Sequence, residues 1–205
     1  MVNGLTGQPI QHGDNFFTSD VTNHLFEPIG QPFGMDLIAL NIQRGRDHGL
    51  PSYNRFREVC GLRPVTSFED LASIMSEKSA RVMRRVYRSV DDIDLFIGGV
   101  SEHLIKGGVV GPTFACIIAE QFRRLKNGDR FWFENGGLEA SFTEDQLREI
   151  RKSSLARILC DNSDVQSMQP LALVQTFDWN PKIECKSNEI PRIDLGYWKN
   201  EPVWS

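Results

Sequence analysis

The densest polar chemistry in the chain lies in residues 40–54. An amide (Asn41), two guanidiniums (Arg44, Arg46), a carboxylate (Asp47) and an imidazole (His48) sit there at the end of an otherwise apolar segment. Asn41 falls one helical turn past Leu37 and one residue after Leu40, so its amide points into or along a buried face, where it must find partners. Such an Asn either satisfies loop carbonyls or orients another group, and spacing alone weighs the two equally. Arg44 lies one turn beyond on the same side. Its rigid fork of donors suits two-pronged capture of a carboxylate, and the structural alternative is an ion pair with Asp36 or Asp47. Asp47 and His48 have the composition of a carboxylate-oriented base or ligand. Adjacent helical side chains diverge, however, which favours a helix-ending pair bonded to local backbone.

Those groups need a helix to carry them. Phe33, Leu37 and Leu40 recur at helical spacing after a Gly-Gln-Pro start, which predicts a buried helix over about 33–45. Pro51-Ser52 opens a short helix with Tyr53, Phe56 and Val59, stopped by Gly61. Ser67 with Asp70 offers a cap for a segment reaching Tyr87, read as two helices or one broken near Ser76. Pro112 opens an apolar helix through Ile117, Ile118 and Phe122 to Gly128, the best core candidate. Thr143 with Gln146 forms a capping box, and Ser154 caps a last short helix ending near Cys160. The Gly98-Gly99 and Gly107-Gly108 pairs read as turns, since no phosphate-loop Lys-Ser/Thr follows them. Phe131, Trp132 and Phe133 read as core aromatics.

The organisation expected is a loop-rich segment 1–32, a helical core 33–160 and an irregular arm 161–205 with four prolines, in a mainly α fold. The chain of 205 residues is 40% hydrophobic and 24% charged, at globular averages. Its net charge of −4 argues against a dedicated nucleic-acid surface, and Lys78, Arg81, Arg84, Arg85 and Arg88 read as a solvated helix face. No apolar run approaches the ~18–20 residues of a membrane span. The first residues lack the basic and apolar regions of a signal peptide. Cys60, Cys116, Cys160 and Cys185 form no C-x-x-C pair, so a zinc ribbon has no support; a two-bridge framework is permitted, with three pairings open on counting.

Residues 34–62, GMDLIALNIQRGRDHGLPSYNRFREVCGL, closely resemble the signature of the animal haem peroxidases of the peroxidase-cyclooxygenase superfamily. Further segments match in order: DLFIGGVSE from Asp94, VGPT from Val110 with ACII from Ala115, QF at Gln121, GDRFWFE from Gly128 and ILCDN from Ile158. The likeness runs from about residue 20 onward and is nearest to insect chorion-peroxidase-like and peroxidasin-like members.

This resemblance implies the C-terminal portion of the family's helical domain, with an irregular C-terminal arm. It implies haem b in the parent family, held by a proximal histidine whose second ring nitrogen donates to the asparagine matched by Asn41. Arg44 matches an arginine near a haem propionate, and Leu37 and Leu40 look like apolar wall beside the haem. Arg46, Asp47 and His48 are expected to hold the fold. The family's proximal and distal histidines, distal arginine, calcium loop and haem-esterifying acids lie upstream of the motif, so the resemblance assigns no catalytic residue, axial ligand or metal site to this chain. His12 and His24 are not inherited ligands.

The parent activity implied is hydrogen-peroxide-dependent oxidation of small donors, whether phenolic, tyrosyl or halide, in a secreted protein. A matching N-terminal fragment is a further partner. The alternative is a non-catalytic helical interaction module derived from a peroxidase. The resemblance also pairs Cys60 with Cys116 and Cys160 with Cys185.

Overall fold

The computed structural model describes residues 1–199 and Glu201; Asn200 and residues 202–205, with Pro202 and Trp204 of the expected arm, lie outside it. The described residues are mainly helical. In chain order the helices are α1 (Val2–Gly7), α2 (Ser19–Thr22), α3 (Leu37–Asp47), α4 (Tyr53–Val59), α5 (Glu77–Val86), α6 (Leu95–Ser101), α7 (Pro112–Gly128), α8 (Glu144–Ile150) and α9 (Leu155–Asn162). The one described sheet is a two-residue antiparallel pair, β1 (Ser167–Met168) against β2 (Ile183–Glu184). Two compact units result: His12–Leu125, and Met1–Gln11 with Lys126–Ser205.

In the first unit the core is Tyr53, Val65, Leu71, Met75, Ala80, Met83, Val90 and Ile93. At its edge lies a buried polar hub. Glu102 accepts from the Tyr53 hydroxyl (2.7 Å), the Arg57 guanidinium (2.8 Å), the Thr113 N–H (2.8 Å) and the Thr113 hydroxyl (2.6 Å). The hub ties α4 and α6 to the start of α7, and every donor facing the carboxylate is used, which buried charge requires. Cys60 and Cys116 are disulfide-bonded in this unit.

In the second unit Ala156, Met168, Ala172, Cys185 and Ile190 form the core, and Cys160 is bonded to Cys185. Buried amides shape the irregular segment that follows β1. Asn180 accepts from the Leu171 N–H (3.0 Å) and donates to the carbonyls of Val174 and Gln175 (both 3.1 Å). Gln169 donates to the carbonyls of Thr6 (2.7 Å) and Ala172 (3.0 Å). Such side chains replace the ladder bonds this segment lacks.

Local capping follows the sequence closely. Ser67 and Asp70 bond reciprocally, Thr143 and Gln146 form the full capping box, and the Ser154 hydroxyl accepts from the Arg157 N–H. A 3-10 turn over Asp70–Ser73 precedes α5, whose cap is Ser76, in agreement with a break there. The basic face of α5 is solvated, with Arg81 paired to Glu77 and Arg84 to Glu69.

Several expectations are corrected. Helix α3 starts at Leu37 because the Asp36 carboxylate accepts from the Ile38 and Ala39 N–H groups; Phe33 lies outside it and is exposed. Gly98-Gly99 is not a turn but the middle of α6, where a Cβ on Gly98 would overlap the Tyr53 ring and one on Gly99 the Phe114 ring. Close packing, not a turn, requires these glycines. Gly107, at φ +76°, does make a turn. Helix α7 is not the core helix: Thr113 is its one buried residue, while Ile118, Phe122 and Leu125 form an exposed stripe. Its periodicity marks a face fit for burial, yet these side chains stay 46–66% exposed. Phe131 is exposed, and Trp132 and Phe133, 5.2 Å apart, are only half-buried.

Candidate functional site

Helix α3 is fixed at both ends. Asp36 caps its start, and at its end the His48 backbone N–H and ring Nδ1 both bond to the Arg44 carbonyl, the ring at 2.8 Å. Gly49 then reverses the chain at φ +64°, and the Leu50 N–H closes on the Gly45 carbonyl (2.9 Å). His48 is thus bonded to local backbone, the arrangement its neighbourhood favoured.

At one residue per 100° of turn, Leu37, Leu40, Asn41 and Arg44 share an arc of about 100° on α3. Leu37, Leu40 and Asn41 are half-buried and Arg44 is exposed. Asn41 and Arg44 line a cavity of about 870 Å³ whose apolar wall includes Ile42, Leu50, Ile93, Leu95, Phe96 and Phe114; Leu37 and Leu40 lie on the same helix face but outside that lining. Neither polar side chain is satisfied internally: among the described residues Arg44 has no ion pair and the Asn41 amide no hydrogen-bond partner. The structural partners considered for Arg44 do not take it up, Asp36 being engaged in capping.

Arg46 behaves in the opposite way. Its Nε and Nη2 reach Asp94 Oδ1 and Oδ2 at 2.9 and 2.6 Å, and the Tyr87 hydroxyl donates to the same Oδ2 at 2.7 Å. The Arg46 guanidinium, with help from the Tyr87 bond, holds the Asp94 carboxyl below the usual carboxylate range despite its partial burial. Burial first, then the bond to Asp94, pushes the Tyr87 phenol up to about 12. This triad joins the end of α3 to the start of α6 and to the residue after α5. Neither Asp94 nor Tyr87 is marked as a site residue by sequence spacing. The pointer to Asp94 was its place at the head of the matched DLFIGGVSE segment; for Tyr87 spacing gave none.

A family model described as animal haem peroxidase matches residues 1–173. The chain belongs to the animal haem peroxidase family.

Among relatives of this family member, a peroxidase of Drosophila melanogaster is 43% identical across all of this chain and 29% of its own length. Chorion peroxidase of the same fly is 45% identical, covering 97% of this chain and 25% of its own. Thyroid peroxidase of Sus scrofa is 39% identical over 98% and 22%. Among solved structures, Peroxidase A from Dictyostelium discoideum superposes with a TM-score of 0.66 at 35% identity, covering 88% of this chain and 32% of that one. The chain therefore spans about a quarter of the length of the curated relatives it matches.

Family membership implies haem. The α3 face fits the group: an unpaired guanidinium suits a propionate, an unpartnered amide suits a ring N–H, and two leucines suit the macrocycle edge. Among the described residues no three His, Cys, Asp or Glu side chains converge as a metal site, and no helix is long and apolar enough to cross a membrane.

Proposed function

We propose that this chain supplies the proximal wall of a haem pocket in a peroxide-consuming oxidoreductase. The observation that carries the reading is the pair Asn41 and Arg44, side by side on a doubly fixed helix and without partners among the described residues. Bound haem supplies the redox chemistry, reduction of hydrogen peroxide coupled to oxidation of small phenolic, tyrosyl or halide donors.

The chain's own residues hold and orient. Arg44 takes a propionate in its fork. The Asn41 carbonyl would accept a ring N–H from the histidine that holds the haem, and so would fix that ring's tautomer and orientation. Leu37 and Leu40 exclude water from the macrocycle edge. Asp36 and the Arg46–Asp94 pair keep α3 in register for these tasks. The axial ligand, the distal acid–base pair and the calcium loop are assigned to sequence upstream of the motif. An extracellular setting is supported by the two disulfides.

The test is a haemin titration of the 205-residue chain, followed at the Soret band with peroxide and a phenolic donor then added. A saturable one-to-one shift is expected, weakened about tenfold in Arg44→Ala through the lost charge-assisted bonds, with no turnover. No saturable shift, or one indifferent to Arg44→Ala, overturns the proposal. In a complete parent enzyme, Asn41→Asp should shift the iron's reduction potential.

A second reading is favoured by the exposed stripe Ile118, Phe122 and Leu125: an interaction module whose partner is the matching N-terminal portion of the family fold. Phe122→Glu should abolish co-purification with such a fragment while leaving haemin binding unchanged.

A further inference from the structure

Tyr87 is the one tyrosine among Tyr53, Tyr87 and Tyr197 that combines open access with a carboxylate bonded directly to its phenol. It lines the cavity of about 870 Å³ that carries Asn41 and Arg44, and also a second cavity of about 590 Å³ walled by Phe16, Phe17, Ile38, Val82 and Val100. Its hydroxyl donates to Asp94 Oδ2 at 2.7 Å, and the Arg46 fork fixes the orientation of that carboxylate. Tyr53 is fully buried, and its acceptor Glu102 already receives Arg57 and Thr113. Tyr197 is half exposed, and its phenol bonds to no described residue.

The chemistry of a phenol turns on its proton. Removing an electron alone leaves a phenol radical cation, a far stronger acid than any carboxylic acid, so oxidation is easy only where a base takes the proton as the electron leaves. A carboxylate at 2.7 Å meets that need without solvent rearrangement. Arg46 lowers the basicity of Asp94, but the acidity gap is so wide that Asp94 still accepts.

We propose that Tyr87 is a one-electron redox site, with Asp94 as its proton acceptor and the smaller cavity, which Asn41 and Arg44 do not line, as the approach for donors. In the oxidising step the phenolic O–H bond breaks, the proton forms a new O–H bond on Asp94, and one electron goes to the oxidant, leaving a neutral phenoxyl radical. A phenolic donor in the cavity then gives up a hydrogen atom, restoring the Tyr87 O–H bond and leaving as its own phenoxyl radical, while Asp94 returns its proton to water. The proposal rests on the peroxidase reading only for its biological oxidant, a peroxide-driven one-electron acceptor. Asp94 is a positioning and proton-accepting residue, and Arg46 positions Asp94.

The experiment supplies a chemical oxidant in place of the biological one, so it can fail independently of the haemin titration. The 205-residue chain is oxidised by flash photolysis of a tris(bipyridine)ruthenium complex with persulfate, and the radical is read by electron paramagnetic resonance and transient absorption. The parent and Tyr197→Phe should give a tyrosyl phenoxyl signal, and Tyr87→Phe should lose it. Asp94→Asn keeps the size of the side chain but removes the base, so the radical should form at least about tenfold more slowly. Circular dichroism of each variant confirms folding. A phenoxyl signal undiminished in Tyr87→Phe, or formed at the parental rate in Asp94→Asn, overturns the proposal.

Discussion

Replacing Glu102 by Ala tests the packing account at its most demanding point. The carboxylate is 1% exposed and its partner Arg57 8% exposed, so neither charge has water to fall back on. The substitution strands the Arg57 guanidinium and leaves the Tyr53 hydroxyl and the Thr113 N–H and hydroxyl without their acceptor. Removing one member of a buried ion pair costs ~3–5 kcal/mol, the penalty of the stranded partner included. At about 1.4 kcal/mol per tenfold, ~4 kcal/mol is close to a thousandfold in the local opening equilibrium. Residues Trp132, Trp179 and Trp198 all lie in the other unit, so tryptophan fluorescence would miss the event. Hydrogen exchange read by mass spectrometry on peptides spanning α4 and α6 reports it directly. Protection there should fall about a thousandfold. The double variant Arg57→Met with Glu102→Leu should regain part of it, because the unpaired charge is gone while the Tyr53 hydroxyl and the Thr113 N–H and hydroxyl still lack their acceptor. A loss below about tenfold in Glu102→Ala, under ~1.4 kcal/mol, would show that the buried carboxylate does not hold α4 and α6 together.

The Glu134 carboxyl is held down to about 2, chiefly by the Lys126 bond, then by those from Trp132 and Arg151. Its folded pKa lies below the unfolded one, so its contribution is present above the ordinary glutamate range and is lost as pH falls from there through about 2. The Trp132 indole N–H resonance should move with that midpoint, and Glu134→Gln should flatten the titration. Disulfides close loops of 56 and 25 residues. On chain entropy, removing the Cys60–Cys116 bridge by paired serine substitution should cost about 4 kcal/mol and removing Cys160–Cys185 about 3.5, read from denaturant midpoints; equal midpoints before and after reduction would contradict this. Asn180→Ala removes acceptor and donor from the segment after β1, so limited proteolysis between residues 171 and 179 should accelerate by about tenfold or more. Unchanged cleavage would show that the amide does not hold that segment.

What could be read from the sequence was local. Asn41 and Arg44 were found because residues one turn apart must share a helix face, and the caps at Ser67, Thr143 and Ser154 were found because capping chemistry spans only three residues. What escaped depended on distant neighbours. Gly98-Gly99 resembles a turn until the Tyr53 and Phe114 rings are placed against it, and no local signal carries that contact. Helix α7 has the periodicity of a core helix, yet periodicity names a face and not what covers it. Asp94 stands 48 positions from the Arg46 it binds, beyond the reach of spacing arguments. The face of α3 was therefore legible, and the triad that braces it was not.

On the proposed function, one face of α3 receives haem. Amide spectra of isotopically labelled chain during titration with ferric haemin test it most directly, since the paramagnetic iron broadens whatever it approaches. The signals of Leu37, Leu40, Asn41 and Arg44 should broaden first and together, and Arg44→Ala should shift the midpoint about tenfold upward. Broadening centred on any other element, or none at saturating haemin, would contradict that function.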